Sequence, residues 1–199
     1  MCTGKCSKCI GVTLFPLVLL CALANFMLLF PDFSLEYLTA EHITPEILYL
    51  GGIIGGGGLV LIPALHIFAT RSDACCSNRC GMLLSLVFAV VGIAGSSYCL
   101  ICSVLGVVNG PYCLHETDNG TEWGRAFQVD ITKLNITNLK DTHYLLNYTR
   151  WDECLEPPDV VVFNLVLFNC QILFSFIQLI LCICQLINGF FGTLCGTCK

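Results

Sequence analysis

Cysteine is the residue type that offers this chain the most chemistry. Eight of the 16 cysteines lie beside long apolar runs, on the side that we expect to face the cytosol: Cys2, Cys6, Cys9, Cys75, Cys76, Cys80, Cys195 and Cys198. Cysteines in such positions are typical acceptors of acyl chains, and acylation is the interpretation we favour. A zinc site is the alternative, because Cys6-x-x-Cys9 and Cys195-x-x-Cys198 have ligand spacing. Unmodified thiols are the third reading.

A second set of modifiable residues lies in the polar segment 109–159. It holds three N-x-[ST] sequons, at Asn119, Asn135 and Asn147, and two cysteines, Cys113 and Cys154. N-glycans are added, and disulfides persist, on the side of a membrane that faces away from the cytosol. We therefore expect an outside loop with three glycosylation sites and, because no other cysteine lies on that side, a Cys113–Cys154 disulfide. The alternative is a cytosolic loop with chance sequons and two free thiols.

Four apolar runs are long enough to cross a membrane and would position the cysteines and sequons on its two sides. They cover residues 10–30, 47–69, 82–108 and 160–191. Each reaches the roughly 20 residues that a spanning helix needs, and none contains an Asp, Glu, Lys or Arg. Charged residues make up only 12% of the chain, too few to coat a soluble bundle. We predict an all-α membrane protein, a four-transmembrane-helix bundle with a disulfide-closed large loop between helices three and four.

The first run could instead be a cleaved signal peptide, but no A-x-A-like site follows it, so we interpret it as a retained helix. The segments 1–9, 70–81 and 192–199 carry five Lys or Arg residues against one acid, whereas the short loop 31–46 carries four acids and no Lys or Arg. Basic residues near helix ends favour the cytosol. Both termini are therefore expected on the cytosolic side.

Polar and small residues inside the runs predict how the helices pack. The amides Asn164, Gln171, Gln178 and Gln185 recur every seven residues in the fourth run, and Asn25 lies in the first. We expect them to hydrogen-bond across helices. The glycines Gly51, Gly52, Gly55 and Gly56 form two overlapping GxxxG patterns, which favour close helix approach. Packing inside the bundle is the favoured reading of these glycines, and a homodimer or partner face is the alternative.

Six further cysteines lie within the runs and are expected to be small buried hydrophobes: Cys21, Cys99, Cys102, Cys170, Cys182 and Cys184. The net charge of −5 excludes a basic nucleic-acid surface. The sequence shows no nucleophile–base pair, metal triad or phosphate loop, and no cofactor is expected.

Several stretches resemble the transmembrane four L-six family. They are Met1-Cys-Thr-Gly-Lys-Cys-Ser-Lys-Cys-Ile-Gly, the run Gly-Gly-Ile-Ile-Gly-Gly-Gly, Asn109-Gly-Pro-Tyr-Cys113, Trp151-Asp-Glu-Cys-Leu-Glu-Pro-Pro158, Val160-Val-Val-Phe-Asn164-Leu-Val-Leu-Phe168 and Gln185-Leu-Ile-Asn188-Gly-Phe-Phe-Gly-Thr-Leu-Cys-Gly. The resemblance covers essentially the whole chain. A true tetraspanin would have at least four cysteines in its large loop, where this chain has two, and a claudin's long loop lies between its first two helices.

The resemblance implies a four-pass, palmitoylated glycoprotein of the plasma membrane or endosomal membranes. Such proteins gather integrins, tetraspanins and growth-factor receptors into membrane microdomains and affect adhesion, migration or proliferation. We therefore predict a non-enzymatic organiser of partner membrane proteins. A small-molecule transporter or channel, or a regulator of one, is the alternative. It would need a continuous polar path, and such paths usually carry charges that these runs lack.

Overall fold

The computed structural model describes residues 3–39, 41–69, 79–117, 120–127 and 143–195. In this part of the chain four helical segments are long and apolar enough to cross a membrane: Lys5–Leu28, Pro45–Ala69, Cys80–Asn109 and Val160–Leu194. The predicted fold class is confirmed, because these four segments form a bundle and a disulfide lies in the loop between the third and fourth.

Three of the spans are long helices: α1 is Thr3–Leu28, α4 is Arg79–Asn109 and α5 is Val160–Cys195. Helix α1 begins seven residues before the apolar run 10–30, and α5 ends four residues after the run 160–191. Ser7 of α1 receives hydrogen bonds from Gln185 (3.2 Å) and Asn188 (3.0 Å) of α5. The start of α1 and the end of α5 therefore meet at one end of the bundle, which we call the terminal end; the opposite end is the loop end.

The second span is broken where the sequence predicts one continuous helix over 47–69. A short helix α2, Pro45–Leu48, precedes a π-helix, Gly51–Leu59, which continues into α3, Val60–Ala69. The break lies at Leu50, whose φ of +50° and ψ of +35° are left-handed. The Asn25 side chain bridges it, donating to the Ile47 carbonyl (3.5 Å) and accepting from the Ile53 amide (3.2 Å). These bonds replace part of what the interrupted backbone loses, as irregular backbone at membrane depth requires.

The glycines of the π-helix let three spans approach closely. A Cβ on Gly52 would lie 2.5 Å from the Cys21 carbonyl oxygen of α1, and one on Gly55 would lie 2.7 Å from the Gly95 carbonyl oxygen of α4. Gly56 faces sulfurs of both helices, and Gly51 faces Cys102 of α4. All four predicted packing glycines therefore contact helices of this same chain.

The amides of α5 turn towards the bundle interior, and three of the four bond to other spans. Gln171 accepts from Ser103 of α4 at 2.9 Å, Gln178 donates to the Gly56 carbonyl at 2.9 Å, and Gln185 donates to Ser85 of α4 at 2.8 Å. Asn164 instead donates to its own helix, at the Val160 carbonyl. Asn164 Oδ1 and Gln171 Nε2 are buried without a partner among the described residues.

The cysteines inside the spans divide into two groups. Cys21, Cys99, Cys102 and Cys182 are buried, as expected. Cys170 is half-buried and Cys184 is exposed, so burial was wrongly expected for Cys184. Cys184 directly precedes the buried Gln185 on α5, and its thiol is nevertheless on the surface of the bundle.

Candidate functional site

The loop end carries a folded platform built mainly from segment 109–159. Strands β1, Cys113–Thr117, and β2, Gly120–Gly124, form an antiparallel hairpin that begins four residues after α4 ends. A 3-10 helix, Tyr148–Glu153, leads back towards α5, and a shorter one, Pro31–Phe33, follows α1. The platform is the candidate functional site because its surface, unlike the spans, is available to partners outside the bilayer.

The predicted disulfide joins the two ends of the platform. Cys113, fully buried in β1, bonds to Cys154, with 5.6 Å between their Cα atoms. Two backbone hydrogen bonds lie beside it: Leu114 N–H to the Glu156 carbonyl and Leu155 N–H to the Leu114 carbonyl, both 2.8 Å. The segment before α5 therefore pairs with β1, and the start of α5 is fixed to the end of α4.

Aromatic residues form the platform's own core. Phe127 and Tyr144 stack with centroids 4.6 Å apart, and the Arg150 guanidinium carbon lies 5.7 Å from the Phe127 centroid. Trp151 Nε1 donates to the Tyr144 carbonyl at 2.9 Å. Burial raises the pKa of Tyr144, so its hydroxyl remains a neutral donor, bonded to the Val107 carbonyl in the last turns of α4.

A buried ion pair joins the platform to the second span. Arg125, just after β2, donates through Nη2 to Glu46 Oε1 (2.8 Å) and Oε2 (2.9 Å), and Asn109 Nδ2 donates to Glu46 Oε1 at 2.7 Å. Glu46 is only 5% exposed. Among the described residues Arg125 Nη1 has no partner. The carboxylate is thus held by three hydrogen bonds from two elements, as a buried charge requires.

The short loop before α2 also packs on the hairpin. His42 and Trp123 have ring centroids 4.2 Å apart, and the Tyr112 amide donates to Thr44 Oγ1 at 3.1 Å. The sequence patterns predicted no contact for these residues or for Glu46, Asn109 and Arg125. One signal could have found two of them: Glu46 directly precedes the run 47–69 and Asn109 directly follows the run 82–108, at the same predicted membrane face.

The outer surface of the platform combines apolar groups with a sequon. Leu146 is 52% exposed and Tyr148 is 71% exposed, on either side of Asn147. Asn147 Oδ1 accepts from Thr149 N (3.3 Å) and Thr149 Oγ1 (2.6 Å), which caps the 3-10 helix. A cavity of about 160 Å³ lies nearby, lined by Trp151, Asp152, Cys154, Asp159, Val160, Val161 and Val162. The other two sequons, Asn119 and Asn135, lie outside the described residues.

The acylation candidates are only partly within the described chain. Cys6 and Cys9 of α1 and Cys80 of α4 are exposed, and Cys195 is the last residue of α5. Cys2, Cys75, Cys76 and Cys198 lie outside the described residues. Cys6 and Cys9 belong to a helix that already begins at Thr3, so residues 3–9 are helical although they precede the apolar run 10–30.

Comparisons with known proteins agree with this architecture. A family model described as L6 membrane protein matches residues 1–199. The chain is 38% identical over 206 residues to Transmembrane 4 L6 family member 1 from Homo sapiens and 40% identical over 206 residues to member 5 from the same species. Each alignment covers 100% of this chain and 96% of the relative. Member 4 from Mus musculus is 39% identical over 207 residues, covering 100% of this chain and 95% of the relative. No solved structure matches the chain.

Proposed function

The chain belongs to the L6 membrane protein family, and from that premise we propose that it is a non-enzymatic organiser of other membrane proteins. The proposed partners are integrins, tetraspanins or growth-factor receptors, gathered into membrane microdomains. In this proposal both termini are cytosolic, the platform faces the cell exterior, and the protein acts at the plasma membrane or in endosomal membranes. Adhesion, migration or proliferation would then depend on which partners it gathers.

The observation that carries this proposal is the way the platform is fixed to the bundle. The Cys113–Cys154 disulfide holds its two ends, and the Glu46–Arg125 ion pair ties its hairpin to the second span. A surface held in this way loses little conformational entropy when it binds a partner. Exposed aromatic and leucine side chains such as Tyr148 and Leu146 are suited to protein contact.

Acylation at the terminal end, which we also propose, would serve the same role. Four spans already keep the protein in the bilayer, so acyl chains on Cys6, Cys9 and Cys80 would add nothing to anchoring. They would instead affect which lipids and proteins surround the bundle. We propose this sorting role for all eight cytosolic-edge cysteines.

Crosslinking in intact cells, followed by mass spectrometry, tests the proposal. The double variant Leu146→Ser with Tyr148→Ser keeps the Asn147 sequon intact and should reduce recovery of integrins, tetraspanins or receptors at unchanged surface level. Leu35→Ser is the control, because Leu35 is an exposed leucine of the short loop (72%), as exposed as Tyr148. Recovery of none of these classes from the wild-type chain would overturn the proposal.

A transporter or channel, or a regulator of one, is the second candidate. The observation that favours it is the unpartnered pair of buried amide atoms, Asn164 Oδ1 and Gln171 Nε2, inside the bundle. Against it, Gln178 and Gln185 use their amide donors on neighbouring spans. Purified protein in liposomes distinguishes the two functions: solute flux that is lost in Gln171→Leu would favour the transporter.

A further inference from the structure

The outward face of α5 carries a seven-residue repeat that the bundle does not use. One row consists of Val166, Leu173, Ile180, Ile187 and Leu194, and the other of Val162, Asn169, Phe176, Ile183 and Phe190. The apolar members are between 41% and 61% exposed. The two rows alternate at spacings of three and four residues, which is the a/d pattern of helices that pair in a left-handed supercoil. We call these ten residues the α5 seam.

The opposite face of α5 follows the same period. Gln171, Gln178 and Gln185 are buried at intervals of seven, and Ser175 and Cys182 are buried between them. A straight α-helix drifts about 20° per heptad relative to a strict seven-residue repeat. Both faces keep this repeat along α5, so its pattern of buried and exposed residues is the one that pairing in a left-handed supercoil requires.

Asn169 is the one polar residue of the α5 seam, and lipid chains offer its amide no hydrogen-bond partner. Eight asparagines and glutamines lie in the four described spans, and Asn169 is the one that is exposed. Its Nδ2 donates to the Leu165 carbonyl at 2.7 Å, while its second N–H and its Oδ1 have no partner among the described residues. At 1.5 Å per residue, Asn169 lies about 14 Å from the start of α5, within a hydrocarbon core roughly 30 Å thick. An amide facing lipid at that depth is costly.

We propose that the α5 seam binds the α5 seam of a second copy of this chain. Copies inserted with one orientation are related by a two-fold axis along the membrane normal, so their α5 helices run parallel and each seam residue meets its own equivalent. Asn169 then meets Asn169 of the second copy. An amide has both donor and acceptor, so the pair is self-complementary, and a single polar residue in such a seam sets the register.

The exposed faces of the other described helices do not offer a comparable amide for pairing. On α4 the exposed polar side chain Tyr98 already donates its hydroxyl to the Tyr49 carbonyl at 2.8 Å. Exposed residues of α1 such as Leu19, Leu23 and Phe26 are apolar, and lipid solvates them as well as a helix would. The seam of α5 is therefore the surface that gains a hydrogen bond from a second copy.

Photocrosslinking of the purified full chain in liposomes tests the proposal, because only lipid and other copies are then present. A photoreactive phenylalanine analogue is placed at Phe176, in the seam, or at Phe26, which is similarly exposed on α1 (51% and 54%). We expect a product of twice the chain's mass from position 176 and lipid adducts from position 26. Equal dimer yields from the two positions, or lipid adducts from both, would overturn the proposal.

A second arm tests the role of Asn169. Asn169→Leu should raise the dimer dissociation constant roughly threefold, the effect of one average interhelical hydrogen bond in a bilayer, and Asn169→Gln should retain most of the affinity. Tyr98→Phe, which removes a polar group from the exposed face of α4, should leave it unchanged. Leucine is well tolerated by lipid, so the variant should fold. An unchanged dissociation constant for Asn169→Leu would contradict the assigned register.

Discussion

The guanidinium of Arg125 contacts both carboxylate oxygens of Glu46, although the two residues are 79 positions apart in the chain. Glu46 lies in the first turn of the second span, and Arg125 follows the hairpin of the large loop. The contact therefore helps to fix the platform on the bundle, together with the Cys113–Cys154 disulfide. The contribution of this ion pair to folding stability can be measured, because the chain also contains an exposed ion pair that serves as a control.

Glu46→Gln should destabilise the folded protein by about 3–5 kcal/mol, since it leaves a largely buried guanidinium unpaired. Thermal unfolding in detergent measures the loss. The matched control is Glu153→Gln, whose partner Arg150 lies 2.7 Å away on the platform surface with Glu153 41% exposed. An exposed pair contributes about 0–1 kcal/mol. Equal effects of the two substitutions would show that the Glu46 pair is solvated.

Cys113→Ser, Cys154→Ser and the double variant should each lose about 4 kcal/mol, the loop-entropy estimate for a bridge across 41 positions. We expect immature glycans and little protein at the cell surface. The single variants should be retained more strongly than the double, because each leaves one unpaired thiol in an oxidising compartment. Cys184→Ser changes an exposed free thiol and should behave as wild type. Peptide mapping without reduction would refute the pairing if both thiols were alkylated.

Gly52→Ala should weaken packing of the second span by about 1–3 kcal/mol, the usual cost of overfilling a close contact. Its new Cβ would lie 2.5 Å from the Cys21 carbonyl oxygen and 2.7 Å from the Asn25 Cβ. Gly58→Ala is the control within the same π-helix, because its Cβ would meet only the Ile53 carbonyl oxygen, at 3.7 Å. Unfolding in detergent should separate the two variants; identical midpoints would mean that the π-helix adjusts freely.

Glycosidase treatment should lower the protein's apparent mass, and Asn119→Gln, Asn135→Gln and Asn147→Gln should each remove one step of that shift. We expect the smallest occupancy at Asn147, which is half-buried and bonded to Thr149. Trp151→Ala releases the contact with the Tyr144 carbonyl and should raise occupancy at Asn147. A single band that glycosidase does not shift would refute the proposed orientation.

Replacing the eight acylation candidates with serine should abolish acyl incorporation and remove the protein from the proposed microdomains without unfolding the bundle. Acyl exchange with a mass tag counts the modified thiols. Cys21→Ser with Cys99→Ser is the control for incorporation, since both thiols are buried and should not be acylated. Wild-type incorporation in the eightfold variant would place the acyl chains elsewhere, whereas a chelator that reproduces its phenotype would favour the zinc interpretation.

The four spans and the disulfide could be predicted because length, hydropathy and the distribution of sequons are local properties of the sequence. The direction in which Gln171, Gln178 and Gln185 face followed from their period. The break at Leu50 could not be predicted, because it depends on Asn25, a residue 25 positions earlier that supplies the missing hydrogen bonds. The partner of Glu46 could not be predicted either, since an ion pair between segments far apart in the chain produces no periodic pattern in either segment.

The hydrogen bonds from Gln185 and Asn188 to Ser7 have a consequence for the order of synthesis. Ser7 belongs to the first of the four spans, and its partners are made 178 and 181 residues later. At about 5–20 residues per second, the first helix waits roughly 9–36 s for them. During that interval its buried hydroxyl must be satisfied by water, by lipid headgroups or by an insertion factor. The terminal end of the bundle is consequently the last part to close, and chains interrupted before residue 185 should present an open first helix to quality control.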